Sequence, residues 1–134
     1  MDKILKILIV EDEALVAMLV EDALTLHGHV VLGIADTQAA ALALADAELP
    51  DLALCDVRLA LGDSGLAVAY QLAERGVPCL FLSGNCPETA EHPRIVGCVA
   101  KPFHTAGLGL AVAAAYAKAT GDVPVRVPAE LTFY

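Results

Sequence analysis

The chain contains no tryptophan and only three tyrosines and three phenylalanines, so its core must be built from aliphatic side chains and alanine. Basic residues are scarce as well. Eight Lys and Arg against seventeen Asp and Glu leave a formal net charge of -9. Proteins that bind nucleic acid replace counterions with Lys and Arg, so this balance argues against a nucleic-acid partner and for protein partners. Long apolar runs are also missing: 57% of the residues are hydrophobic, yet no stretch approaches the roughly 20 apolar residues of a bilayer span. No membrane association is expected. The start of the chain lacks a basic segment followed by a small-residue cleavage site, because residues 1–10 run straight into Glu11, Asp12 and Glu13. The expected location is the cytoplasm.

Cysteine is present but sparse in pattern. None of Cys55, Cys79, Cys86 and Cys98 forms a Cys-x-x-Cys pair, and three fall in expected strands, so buried free thiols are expected. The four histidines, His27, His29, His92 and His104, share no metal-ligand spacing and read as helix-end or surface residues. At 134 residues the chain fits one domain. That length supports a core without disulfides or structural metal.

What is there is an alternation, five times over, of short apolar runs with longer helical stretches, the pattern of a βα repeat. Strands are expected at 4–10, 30–34, 52–56, 79–83 and 97–100. Helices are expected at 14–26, with Leu15, Leu19, Ala23 and Leu26 on one face, from Asp36 or Thr37 to about residue 48, and in the stretch before Gly76 with Leu66, Ala69, Tyr70 and Ala73 recurring. A last helix is expected at 105–120. The segment 85–94 holds Pro87 and Pro93 and little apolar periodicity, so any helix there must be short or poorly held. A domain over 1–121 and an extended tail over 122–134, with Pro124 and Pro128 among valines, complete the reading. Right-handed βαβ crossovers give a five-stranded parallel sheet with helices on both faces.

The carboxyl ends of such strands share one edge, and ligands bind in the crevice outside it. Glu11 and Asp12 follow the first strand, Asp56 ends the third, Ser83 ends the fourth and Lys101 follows the fifth. A lone Asp at a strand end is often just a helix cap, but three acids meeting there repel, at about 4 kcal/mol for like charges 4 Å apart at an effective dielectric near 20. Mg2+ removes that penalty and takes carboxylates, carbonyls and water. Asp12 and Asp56 would be ligands, Glu11 would act through water, and the backbone carbonyl of Arg58 is a further candidate. Asp56 is the candidate nucleophile, since a carboxylate attacking activated phosphorus gives an acyl phosphate. Gly84 leaves room for a phosphoryl group to approach the Ser83 hydroxyl, and Lys101 supplies a fixed cation. Pro102 makes a cis Lys101–Pro102 bond available to aim that lysine.

With these residues in place the chain, over roughly 3–120, resembles a response-regulator receiver domain of two-component signalling. The marks are Ile-Val-Glu-Asp-Glu at Ile9 to Glu13, Leu-Cys-Asp-Val-Arg at Leu54 to Arg58, Ser83-Gly84, and Lys101-Pro102-Phe103. The resemblance implies a flavodoxin-like (βα)5 fold with strand order 2-1-3-4-5 and Mg2+ in the acidic pocket. It implies phosphoryl transfer from a sensor histidine kinase or histidine phosphotransfer protein to Asp56, with Ser83 and Lys101 binding the new phosphoryl oxygens. Such a domain is no metabolic enzyme and catalyses only its own phosphorylation and dephosphorylation. Output would pass to a downstream protein target or onward in a phosphorelay.

One departure stands out: family members usually carry Tyr or Phe three residues before the site lysine, and Cys98 occupies that place here. With Pro78, Phe81 and Gly84, this is similar to a subgroup of bacterial single-domain receivers with a Pro-Phe-x-Phe-Ala-Thr-Gly-Tyr/Gly motif. That subgroup implies an alphaproteobacterial source. A dehalogenase-type phosphatase would want a second Asp where Arg58 stands. A flavodoxin would want hydroxyls and glycines where Glu11 to Glu13 would repel phosphate.

Overall fold

A computed structural model describes residues 3–124 and 126–134. Met1, Asp2 and Val125 lie outside the described residues, and with them the first two positions of the expected domain and one of the tail. The elements run β1 Lys6–Val10, α1 Ala14–Leu26, β2 Val30–Ala35, α2 Gln38–Ala47, β3 Leu52–Asp56, a short 3-10 turn Ala60–Gly62, α3 Gly65–Glu74, β4 Cys79–Ser83, β5 Ile95–Ala100, α4 Thr105–Ala119 and β6 Leu131–Phe133. The sheet order is β2-β1-β3-β4-β5-β6. The first five strands pair parallel in the expected 2-1-3-4-5 order, and β6 joins β5 antiparallel as a sixth.

Strand alternation sorts the core into two layers. Ile7, Ile9, Leu52, Leu54, Leu80 and Leu82 face α1 and α4, while Leu8, Val10, Ala53, Cys55, Cys79 and Phe81 face α2 and α3. Both layers are buried, which is why the strands read as continuous apolar runs. In β5 a register shift opposite Cys79 and Leu80 skips Val96, so Val96 and Val99 serve one layer and Ile95 and Cys98 the other. Gly97 lies where β6 crosses: a Cβ there would come within 2.7 Å of the Thr132 carbonyl oxygen. The tail's extended backbone therefore closes the outer edge of the sheet.

Several expectations need correction. In α1 the buried residues are Ala17, Val20, Ala23 and Leu24, while Leu15, Leu19 and Leu26 are exposed. A helix apolar on nearly every side gives no unique face to read. The same holds in α3, which buries Val68, Ala69, Leu72 and Ala73 and leaves Leu66 and Tyr70 exposed. His29 is buried, and its Nδ1 accepts from the backbone N–H of Leu5 at 3.1 Å. Cys86 and Cys98 are joined in a disulfide, with Cα atoms 6.0 Å apart, while Cys55 and Cys79 are free and buried. Among the described residues no helix is long and apolar enough to cross a membrane.

The crossovers differ. Helices α1, α2 and α3 close the first three, and Thr37 caps α2 by accepting from the N–H of Ala40. Between β4 and β5 the chain makes only turns and bends. This leaves a groove of about 620 Å³ between α3 and that segment, with Tyr70, Phe81, Pro87 and Ile95 in its walls.

Candidate functional site

The carboxyl ends of β1, β3, β4 and β5 lie along one edge of the sheet, and the side chains of Glu11, Asp12, Asp56 and Lys101 meet there. Lys101 Nζ lies 3.3 Å from Asp56 Oδ2 and 3.5 Å from Glu11 Oε1. Glu11, Asp12 and Asp56 each present a carboxylate oxygen within 4.8 Å of the others. Ser83 is buried at the end of β4, and its backbone carbonyl accepts from the N–H of Lys101 at 2.8 Å, which locks the two strand ends in register.

Local backbone sets each orientation. Glu11 continues β1, its N–H donating to the carbonyl of Ala35, and its own Oε2 accepts from the N–H of Glu13 at 3.2 Å. Asp56 Oδ1 accepts from the N–H of Arg58 at 3.3 Å, which leaves Oδ2 for the lysine. The Ser83 hydroxyl oxygen accepts from the N–H of Asn85 at 3.1 Å, so its proton stays available to donate. The Lys101–Pro102 bond is cis. The Arg58 side chain is exposed, and the residue forms an isolated bridge with Ser64.

The electrostatics are those of crowded acids around one cation. Burial, together with the neighbouring Asp56, pushes the Glu11 carboxyl up from its ordinary 4.5 to about 7. Burial alone would lower the Lys101 ammonium, but the Glu11 and Asp56 carboxylates outweigh it and hold the lysine above its usual value. A single lysine thus leaves the acids undercompensated. The donor set is all oxygen, three carboxylates within 4.8 Å of one another, and that chemistry fits a hard divalent cation such as Mg2+.

One positioning residue escaped the sequence reading. A Cβ on Gly65 would overlap the Asp56 carbonyl, and the Gly65 N–H donates to the Val57 carbonyl at 2.8 Å. Only a residue without a side chain lets α3 begin so close behind Asp56. The signal was a glycine at the first position of a helix after Ser64, whose hydroxyl caps it.

The family described as "Response regulator receiver domain" matches residues 7–113. The chain is 39% identical over 119 residues to the phyllosphere-induced regulator PhyR of Methylorubrum extorquens, covering 85% of this chain and 44% of that protein. It is also similar to the crystal structure of the response regulator PhyR from Brucella abortus, with TM-score 0.75 and 31% identity over 86% of this chain and 49% of that one. The solution structure of SdrG from Sphingomonas melonis aligns with TM-score 0.67 and 37% identity over 87% of this chain and 98% of that one. The chain thus spans less than half the length of the PhyR relatives in Methylorubrum and Brucella.

Proposed function

The chain belongs to the response regulator receiver domain family, and from that premise we propose that it accepts a phosphoryl group on Asp56 from a sensor histidine kinase or histidine phosphotransfer protein. The observation that carries this reading is the meeting of Asp56 with the Lys101 ammonium and with the Glu11 and Asp12 carboxylates. Glu11, Asp12, Asp56 and the backbone carbonyl of Arg58 would hold Mg2+. The bound ion supplies positive charge that offsets the phosphoryl oxygens during transfer.

The chain's own groups do the rest. Arg58 N–H fixes one oxygen of Asp56 so that the other points into the cleft. That carboxylate attacks the phosphorus of a phosphohistidine; the new O–P bond forms as the P–N bond breaks and the imidazole departs. The Lys101 ammonium moves from the bare carboxylate to a phosphoryl oxygen, and the Ser83 hydroxyl donates to another. In hydrolysis a water oxygen attacks the same phosphorus, the P–O bond to Asp56 breaks, the carboxylate is restored and inorganic phosphate departs. The reaction serves signalling and turns over no metabolite.

Output is read as docking to a downstream protein or transfer in a phosphorelay, in the cytoplasm. The net charge of -9 supports a protein target over nucleic acid. A Bartonella quintana relative is described as the anti-anti-sigma factor PhyR, which supports a protein partner of that general kind. The segment between β4 and β5 is the part proposed to reorder, because it has no helix and begins directly at Ser83.

Incubation with Mg2+ and acetyl phosphate tests the acceptor. The native chain should gain one hydroxylamine-labile phosphoryl group by intact mass, and Asp56→Asn should gain none. Equal labelling of the two would overturn the assignment.

A further inference from the structure

The Cys86–Cys98 bond lies close to the site without being part of it. Cys86 comes three residues after Ser83 and Cys98 three residues before Lys101, so the cross-link spans the β4–β5 connection just outside the two groups that would grip a phosphoryl. The connection has other ties as well: the Asn85 N–H donates to the Ser83 hydroxyl, and His92 meets Glu74 at 3.6 Å and the Tyr70 ring edge-on. Tyr134 donates its hydroxyl to the Pro87 carbonyl at 2.7 Å, and the Arg94 and His92 carbonyls accept from the N–H groups of Cys79 and Ile95. Between these points the chain has only turns, and Glu88, Thr89 and Glu91 are exposed.

The two sulfurs are unequal in access. Cys98 is 1% exposed within the layer facing α2 and α3, whereas Cys86 is only half-buried. An oxidant or thiol from solvent would therefore meet Cys86 first. The other two cysteines are fully buried in the same layer, and burial pushes the Cys79 thiol up, which keeps it unreactive. Where disulfides occur in reducing compartments they are usually transient and redox-sensing.

We propose that Cys86 and Cys98 form a reversible thiol–disulfide site, closed by peroxide and opened by small thiols, whose closed form restrains the β4–β5 connection beside Ser83. In closure the Cys86 thiolate attacks a peroxide oxygen, the O–O bond breaks and hydroxide leaves, giving a sulfenic acid. The Cys98 sulfur attacks Cys86, the S–S bond forms and the S–O bond breaks. Two thiols have then lost two electrons and two protons, and one hydrogen peroxide has become two waters. In opening, a small thiolate attacks Cys86, Cys98 leaves as thiol, and a second small thiol releases Cys86 and carries away the small-molecule disulfide. The effect on phosphoryl chemistry rests on the reading of Asp56 above; the bond and its restraint do not.

The test uses the full chain, reduced, freed of reductant and treated with stoichiometric hydrogen peroxide. Thiol titration should fall from four to two, and peptide mapping should find only Cys86 joined to Cys98. Reduced glutathione should restore all four thiols. Cys55→Ala should still form the bond, whereas Cys86→Ser and Cys98→Ser should not. Amide exchange over 87–94 should be several-fold slower in the oxidised form, and the change that beryllofluoride induces there should be smaller than in the reduced form. A different pairing, a bond that glutathione cannot open, or equal exchange in the two forms would overturn the proposal. If the redox and exchange results hold while Asp56 takes no phosphoryl group, the acceptor assignment fails and the thiol–disulfide site stands.

Discussion

Glu11, Asp12 and Asp56 stand on β1 and β3, where α1, α2 and α3 close every crossover, whereas Ser83 and Lys101 stand on β4 and β5, joined by a segment without a helix. In the first half Glu11 and Asp56 are each aimed by the backbone N–H two residues on, and Gly65 lets α3 press against the Asp56 backbone. In the second half the strand ends are firm, with Ser83 and Lys101 joined through the backbone, but the chain between them is held without a helix, by a disulfide, the Tyr134 hydroxyl, the Arg94 carbonyl and the contacts of His92 with Glu74 and Tyr70. Binding calls for a fixed arrangement and signalling for one that moves. The acidic half is suited to the first and the β4–β5 half to the second.

The sharpest way to break this contrast is to ask whether β4 itself is loose. Phe81 is fully buried in the middle of β4 and meets Tyr134 edge-on at 6.4 Å between ring centroids. Phe81→Ala should cost about 3–5 kcal/mol in urea unfolding. A cost near zero would mean that the whole β4–β5 half, and not just its connection, is poorly packed.

A smaller effect probes the acidic half. The folded value of Glu11, about 7, lies above its ordinary 4.5, so between those values the folded chain binds a proton that the unfolded chain does not. The associated stability is fully present below 4.5 and is lost as pH rises through about 7. Without metal, unfolding should become easier over that window by roughly 2–3 kcal/mol, and Glu11→Gln should flatten the slope. Mg2+ should bind more tightly toward higher pH across the same range, because the ion competes with the Glu11 proton. A native chain whose metal-free stability rises between pH 5 and 7 would contradict the crowding described for the site.

The smallest expected effect belongs to Tyr134→Phe. Removing one partly buried hydroxyl that donates to Pro87 should lower global stability by only about 0.5–1.5 kcal/mol. Amide exchange should quicken over 87–91 and stay unchanged at Glu13 and Arg58. Equal acceleration at both places would erase the distinction between the two halves.

Most of the frame was legible because the layers demand it. Strands buried on both faces must be apolar runs, and β3 Leu52–Asp56 and β4 Cys79–Ser83 fall where those runs lie. Strand ends then bring Glu11, Asp12, Asp56, Ser83 and Lys101 to one edge with no further information. The helix faces were not legible: α1 carries Leu15, Leu19 and Leu26 toward solvent as well as Val20 and Leu24 toward the sheet, so periodicity had no polar side to measure against. Nor was the disulfide, since its partners are twelve residues apart and spacing alone does not fix which cysteines pair. β6 is only three residues long and follows two prolines, too brief to show a period of two.

The reversal of direction at β6 has a practical consequence for handling the molecule. Leu131 lies opposite Val99 and Phe133 opposite Gly97, and the Tyr134 N–H reaches the carbonyl of Val96. The carboxyl terminus is thereby carried back to the amino edge of the sheet, away from the acids and the lysine. A biotin or fluorophore attached after Tyr134 would leave the acidic edge free, so a sensor chip loaded through that end could test the proposed kinase docking and metal binding on the same immobilised sample.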